Sequence, residues 1–322
     1  MAIRYGLFEG IAMRYFVTGG AGFIGSHLVD SVLRESGQVI VYDNFDEFYQ
    51  GKERNLNEHK SNQRMTLLRK DILEFKPLVD SMKGSDCVLH LAGQPGVRYS
   101  LQNPAKTTLV NVVGTVNVLE AARMSDPSVI IFASSSSVYG VQKVTPVEEE
   151  APTRPLSVYG ASKLAAEHCC DCYRQLYGLP IVVLRFHTAY GPRQRPDMAI
   201  AKWFRVLKEG ERPVIYGDGS QRRDFTYVED IVRGILTAVH RKEAIGEKIN
   251  LGSGMPVRIS DVIALIGRAM NIEPNPIFEK PRSDEPPETF ADLKKARRLL
   301  GYEPKVSIEH GIQLYNSWYR PQ

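Results

Sequence analysis

The sequence predicts an α/β protein: a doubly wound, mostly parallel sheet followed by a smaller C-terminal lobe. Three observations carry that expectation. Short β-branched runs alternate with amphipathic stretches through the first half. A glycine-rich turn joins the first run to the first amphipathic stretch, and after Arg185 proline and glycine cut the chain into shorter pieces.

Element by element, Tyr15-Phe16-Val17 reads as the first strand, and the helix after it should bury Ile24, Leu28 and Val32 on one face. Val39-Ile40-Val41-Tyr42 reads as the second strand and Met65-Thr66-Leu67-Leu68 as the third. Cys87-Val88-Leu89-His90-Leu91 and Val129-Ile130-Ile131-Phe132 follow, with a long helix spanning Pro104 to Met124 between them. Helix then strand recurs at Tyr159 to Tyr177 and Ile181 to Leu184. Strand, helix, strand in this order closes as a parallel sheet with helices on both faces. Residues 13–185 should form the sheet domain, and 186–322 mainly a substrate lobe over the sheet's carboxyl edge, with some segments returning to the main sheet. The Pro274 to Pro287 stretch is too proline-rich for a helix. Residues 1–12 carry too few consecutive apolar residues for a signal peptide and read as a disordered leader before Met13, a second candidate start.

The chain of 322 residues, 43% hydrophobic and 24% charged, has the composition of an ordinary globule with room for one large unit plus a lobe. No stretch approaches the roughly 20 continuous apolar residues of a membrane helix. A net charge of +4 is too mild to argue for nucleic acid. Arg193, Arg195, Arg222, Arg223 and Arg282 read either as solvated surface groups or as local sites for a small anion. Cys87, Cys169, Cys170 and Cys172 lack the paired spacing of a zinc site, so reduced thiols, no metal and a cytoplasmic setting are expected.

Thr18-Gly19-Gly20-Ala21-Gly22-Phe23-Ile24-Gly25 lies between the first strand and first helix. Gly19, Gly22 and Gly25 supply a tight turn, room for a pyrophosphate and close helix packing, with the phosphates on the helix N-terminus. A glycine triplet alone also marks plain turns. Here Asp43 follows at the end of the second strand, about 20 residues on, where a carboxylate accepts from a ribose 2′-hydroxyl and repels a 2′-phosphate. A Rossmann-type NAD site is therefore expected, with Phe23, Ile24, Asn44, Leu91 and Ala92 around it. Asp71-Ile72 reads equally as an adenine contact or as a loop Asp capping the next helix.

Two Tyr-x-x-x-Lys pairs occur, Tyr139/Lys143 and Tyr159/Lys163. Gly140 and a preceding strand end put the first on a loop, whereas the second opens an Ala- and Leu-rich helix on which i and i+4 share a face. A phenol with a pKa near 10 is only about 0.1% ionised at neutral pH. Lowering it by some 3 units takes roughly 4 kcal/mol, which a lysine ammonium and a nicotinamide cation at close range can supply. Tyr159 is then the expected base, with Lys163 holding its pKa down and binding the nicotinamide ribose. The run Ala133-Ser134-Ser135-Ser136-Ser137 brings hydroxyls to the sheet's carboxyl edge, either to relay a proton and orient the substrate or to cap a turn.

Together these residues resemble the extended short-chain dehydrogenase/reductase family from Met13 to the C-terminus, and within it the NAD-dependent nucleotide-sugar 4-epimerases of the UDP-glucuronate type. The likeness extends through Leu89-His90-Leu91-Ala92-Gly93-Gln94-Pro95-Gly96-Val97-Arg98-Tyr99-Ser100 and Leu184-Arg185-Phe186-His187-Thr188-Ala189-Tyr190-Gly191-Pro192-Arg193-Gln194-Arg195-Pro196-Asp197-Met198, and on through Gly219 to Val228. The resemblance implies Ser135 as the catalytic hydroxyl, and Ser136, Ser137 and Thr188 facing carbons 4 to 6 of the sugar. Arg223 and Arg282 match diphosphate contacts, and Arg98 and Arg193 join the expected substrate contacts. Galactose-type epimerases usually carry Asn at the Thr188 position. Dehydratases and decarboxylases of the family place an acid immediately before the Val-Tyr-Gly, where this chain has Ser137. Gly93, Pro95 and His187 depart from the family's usual residues.

What the resemblance implies is 4-epimerisation of a UDP-sugar, UDP-glucuronate to UDP-galacturonate, through a transient 4-keto sugar on a retained NAD, by a homodimer joined through the helices near 104–124 and 159–177. The alternatives are a UDP-glucose/galactose or N-acetylhexosamine 4-epimerase, a UDP-glucuronate decarboxylase, a reductase with exchanging NADH, and a non-catalytic NAD sensor.

Overall fold

The computed structural model describes residues 13–281 and 286–320. The expected leader 1–12 and Arg282 lie outside the described residues. Through the first half the chain forms β1 (Arg14–Thr18), α1 (Phe23–Arg34), β2 (Gln38–Asp43), β3 (Met65–Arg69), α2 (Phe75–Met82), β4 (Cys87–His90), α3 (Val97–Gln102), α4 (Pro104–Thr108), α5 (Gly114–Ser125), β5 (Val129–Ser135), α6 (Val158–Tyr177) and β6 (Ile181–Phe186). Then come β7 (Thr188–Tyr190), α7 (Ala199–Lys208), β8 (Val214–Tyr216), β9 (Arg222–Tyr227), α8 (Val228–Val239), β10 (Lys248–Leu251), β11 (Pro256–Arg258), α9 (Ile259–Met270), β12 (Ile277–Glu279), β13 (Glu288–Thr289), α10 (Lys294–Leu300) and α11 (Ile308–Tyr319).

Seven strands make one parallel sheet in the order β10-β6-β5-β4-β1-β2-β3. From β1 the chain winds outward one way through β2 and β3, then returns to wind the other way through β4, β5 and β6. The two directions part between β1 and β4, and a crevice opens there at the strands' carboxyl ends. Alternation along β1 divides its side chains between the faces. Val17 joins Leu28, Val29 and Val32 of α1 and Ile231 and Ile235 of α8, while Phe16 joins Leu78 of α2, Val118 of α5 and Ala166 of α6. Ile24 is only partly buried, packed on the edge of the first cluster.

Residue 185 does not separate the layers. The β10 strand pairs with β6, Ile249 opposite Leu184, and α8 and α10 pack into the sheet's own core. The lobe proper is a small sheet, β11-β9-β13 with β7 on β9, and a cluster around Ile200, Phe204, Ile263 and Tyr315. Within Pro274–Pro287, β12 pairs in parallel with β8.

The helix expected over Pro104 to Met124 is three pieces: α4, a π turn at Leu109–Val113, and α5. An apolar period of 3.6 does not reveal one extra residue inserted in a turn. The π turn presents Asn111 inward, where its amide accepts from Gln94 N at 2.6 Å and donates to Gln94 O at 3.1 Å and Ser162 Oγ at 2.9 Å. Among the described residues no helix is long and apolar enough to cross a membrane.

Candidate active site

The chain turns from β1 into α1 at Gly19, whose φ of +71° and closeness to β4 exclude a side chain: a Cβ there would stand 2.7 Å from Ala92 N. Gly22 is the N-cap of α1 and brings no side chain to cap it, so the first amides of a 12-residue helix face the crevice. Asp43 is buried at the end of β2, its Oδ2 accepting from Ala21 N at 3.0 Å and its Oδ1 from Phe45 N at 2.8 Å. Burial pushes its pKa up, while the Phe45 amide, Lys52 and the Ala21 amide oppose the rise.

Gly19, Gly22, Phe23, Ile24, Gly25, Asp43, Asn44, Asp71, Ile72, Leu91, Ala92, Tyr159 and Lys163 all line one cleft of ≈ 550 Å³. The Asp71 carboxylate serves local structure as well, accepting from Asn44 Nδ2 at 2.8 Å and Leu73 N at 2.9 Å. The residues fit a dinucleotide on an independent observation. Gln94, which lines the cleft, keeps its buried Nε2 without a protein partner, and a buried donor in that condition is costly unless a ligand accepts from it.

Tyr159 and Lys163 sit one turn apart at the start of α6, whose N-cap Ser157 accepts from Gly160 N at 3.1 Å. The Tyr159 phenol is hydrogen-bonded to Ser135. Ser135 also accepts from Ser137 N at 3.1 Å, so it caps the short turn Ser136–Val138 while it serves the phenol. Lys163 is not among the groups that shift the phenol's pKa in this structure. Burial pushes Tyr159 up, and what pulls against it is Ser135 and Arg195. Lys163 is turned to the strand instead, donating from Nζ to Ala133 O at 2.8 Å above the Phe132 ring. Burial lowers the Lys163 pKa to about 8. Gly93 lies against that ammonium; a Cβ on it would come within 3.3 Å of Nζ and 3.0 Å of Asn111 Oδ1.

The expected substrate residues are only partly gathered. Ser136 and Ser137 follow Ser135 directly, half-buried, and Thr188 opens β7 next to the end of β6. Arg98 on α3 lies over the Tyr216 ring at 5.3 Å, and Arg223 Nη1 on β9 donates to Arg222 O at 2.9 Å. Arg193 is drawn elsewhere: its Nη1 binds Asp30 on α1 at 2.8 Å, and that carboxylate's other oxygen meets His59 Nε2 at 2.8 Å. A positive φ of 61° at Arg193 turns the chain so that Arg195 lines the cleft in its stead. Arg195 lies over the Phe48 ring at 5.6 Å, paired with Asp197 at 3.0 Å. Sequence grouped Arg195 with four other arginines and assigned Arg193, Arg223 and Arg282, not Arg195, to the substrate.

Sequence reasoning also missed the segment after β2. Asp46, Phe48, Tyr49 and Lys52 line the cleft, and an Asp46–Lys106 ion pair at 2.7 Å with a Phe48–Tyr99 ring contact at 4.7 Å holds the segment to α3 and α4. His187 is buried, with Nδ1 3.9 Å from Asp224 and Nε2 unpartnered, and is not among the residues lining the cleft. Tyr139 is buried and Lys143 exposed, so the first Tyr-x-x-x-Lys pair is pulled apart. The cysteines are free, and the described residues contain no group of His, Cys, Asp and Glu arranged to hold a metal.

A family described as GDP-mannose 4,6 dehydratase matches residues 16–315. The chain is similar to a UDP-glucuronate 4-epimerase of Thermodesulfobacterium geofontis, 37% identical over 94% of this chain and 95% of that protein. Among solved structures it is similar to the UDP-glucuronic acid 4-epimerase of Bacillus cereus in complex with UDP-glucuronic acid and NAD, with a TM-score of 0.90 and 37% identity over 95% of this chain and 98% of that one. It is similar also to a UDP-glucose 4-epimerase of Thermotoga maritima with UDP-glucose, at 0.89 and 33% over 95% and 98%.

Proposed function

This chain belongs to the GDP-mannose 4,6 dehydratase family, and on that footing we propose that it is an NAD-dependent UDP-sugar 4-epimerase acting on UDP-glucuronate. The observation that carries the reading is the convergence of Tyr159 and Lys163 with Gly19, Gly22 and Gly25 on one cleft, with Ser135 bonded to the Tyr159 phenol. The dinucleotide, when bound, takes up hydride from carbon 4 of the sugar and returns it.

The chain's own residues handle the proton and the geometry. Tyr159 accepts the 4-hydroxyl proton and gives it back after the 4-keto sugar has turned over, and Ser135 orients the sugar oxygen on which this occurs. Lys163, its ammonium fixed by Ala133 O, would hold the nicotinamide ribose. Burial raises the phenol in the protein alone, Ser135 and Arg195 oppose the rise, and the positive charge of an oxidised nicotinamide would lower it further. Ser137, where an acid would serve dehydration or decarboxylation, offers only a hydroxyl. With Ser136 and Thr188 it holds a sugar carboxylate away from the geometry that releases carbon dioxide. Asp43 selects NAD over its 2′-phosphate form.

Proton NMR of the purified protein with UDP-glucuronate and with UDP-glucose, side by side, tests the reading. UDP-galacturonate as the main product is expected; UDP-galactose alone moves the substrate to the neutral hexose, and a UDP-pentose as main product overturns epimerisation. The same reading includes a homodimer. Leu109, Val113 and Met124 along the α4–α5 segment and Leu176 and Tyr177 on α6 are exposed apolar groups that a second copy would cover. Sedimentation at twice the chain mass is the expected result. The free cysteines and the substrate class go with a cytoplasmic setting.

A further inference from the structure

Three consecutive residues of β5 are each held by one of three α6 residues spaced four apart. Ser135 bonds the Tyr159 phenol, Ala133 O accepts from Lys163 Nζ at 2.8 Å, and Ser134 Oγ donates to Glu167 Oε1 at 2.5 Å. The first two contacts belong to the site. The third places a carboxylate with 0% exposure in the interior one helical turn beyond Lys163.

Arg185 of β6, itself 3% exposed, clamps that carboxylate from both sides: Nε reaches Oε1 at 2.9 Å and Nη2 reaches Oε2 at 2.7 Å. Its remaining nitrogen is used too, Nη1 donating to the Tyr139 hydroxyl at 2.9 Å and to Glu149 O at 2.8 Å. Tyr139 donates in turn to Asn250 Oδ1 on β10 at 2.7 Å. A bidentate pair so fully satisfied fixes orientation as few contacts can. Apolar residues of the same volume would stabilise the fold as well or better, so stability alone does not account for the pair.

We propose that Glu167 is a positioning residue for the reaction, locking the register of α6 on β5 and setting a buried carboxylate one helical turn beyond Lys163. The inference rests on the functional reading above. The groups facing Lys163 are Glu167 and Cys170 on its own helix, His90 on β4 and the Phe132 ring on β5. Burial holds His90 neutral and pushes the Cys170 thiol far up, so neither carries charge at working pH. Cys170 and then Glu167 oppose the desolvation of Lys163, and of the two Glu167 is the carboxylate.

The test compares wild type, Glu167→Gln, and the charge-balanced double variant Glu167→Gln/Arg185→Gln. The readouts are melting temperature, bound NAD, and kcat and KM on the substrate identified by NMR, all against pH. The single variant should melt lower because it leaves Arg185 buried without its partner. The double variant should recover stability, yet its kcat should fall on the alkaline side about one pH unit earlier than wild type, with KM little changed. A double variant as stable as wild type with the same alkaline limb overturns the proposal. Ser134→Ala, which leaves the ion pair intact, should lower kcat several-fold without changing KM, and an unchanged kcat overturns the register role. Should wild type turn over no UDP-sugar, the functional reading fails. The charge role is then read from the pH dependence of NAD binding, which should weaken earlier in the double variant, and coincident profiles overturn it.

Discussion

The carboxylate of Asp43 holds the glycine turn in place, taking the Ala21 amide on Oδ2 at 3.0 Å. It is therefore part of the turn as well as the group proposed to bind a ribose. Asp43→Asn replaces a charged acceptor in buried bonds worth about 1.5–3 kcal/mol each. The variant should purify with little NAD and melt several degrees lower. It should not gain use of the 2′-phosphorylated cofactor, as absorbance of released dinucleotide and a thermal melt will show.

Tyr159→Phe deletes the hydroxyl bonded to Ser135 and leaves the ring. Loss of a positioned acid-base group costs about 10²–10⁴-fold in rate, so kcat should fall about a thousandfold while NAD content and melting temperature stay at wild-type values. Ser135→Ala should cost less, since the phenol remains.

Lys163 links activity and stability to pH with opposite signs. Burial lowers its pKa to about 8 in the folded chain, against an unfolded value near 10.4. Between these values the unfolded chain binds the extra proton, so this group makes folding more favourable as pH rises, by on the order of 3 kcal/mol in all. Activity should fall over the same range as the ammonium is lost. Lys163→Met should lack this gain in stability, as urea titrations at pH 8 and pH 10 will check.

His90 gives the acid side its slope. Its ring lies between Thr18 Oγ1 at 2.7 Å and Thr115 Oγ1 at 3.0 Å, and burial lowers its pKa to about 3. The unfolded chain takes up a proton below about 6.5 and the folded chain does not, so stability is lost as pH falls from there toward 3. From pH 7 to 5 the loss should be about 2 kcal/mol, with His27, lowered to about 4 by burial, adding in the same direction. His90→Asn should flatten the acid slope measured by urea unfolding.

The sheet and its glycine turn were legible in the sequence because each depends on local pattern. Val17, Val41 and Leu89 announce buried strands by their neighbours, and Gly19 to Gly25 occupy a turn that admits few other residues. The Tyr159/Lys163 spacing was legible for the same reason. Contacts made across the fold were not. Nothing near Arg193 in sequence says that Asp30 will take it and leave Arg195 to the cleft. The extra residue of the π turn at Asn111 is invisible to periodicity, and Lys163 meets Ala133 rather than the phenol because of how α6 lies on β5. The segment from Asp46 to Lys52 has too little regular pattern to announce that it walls the cofactor cleft.

The strand that completes the sheet's edge, Lys248–Leu251, is synthesised long after its partner Ile181–Phe186. While the ribosome is still making the lobe, β6 presents an unpaired apolar edge, and α8 has yet to cover Val182 and Leu184. A nascent or truncated chain ending at 185 is thus a half-built structure prone to self-association rather than a freestanding nucleotide-binding unit. Dissecting this protein into cofactor and sugar halves at that point would yield aggregates.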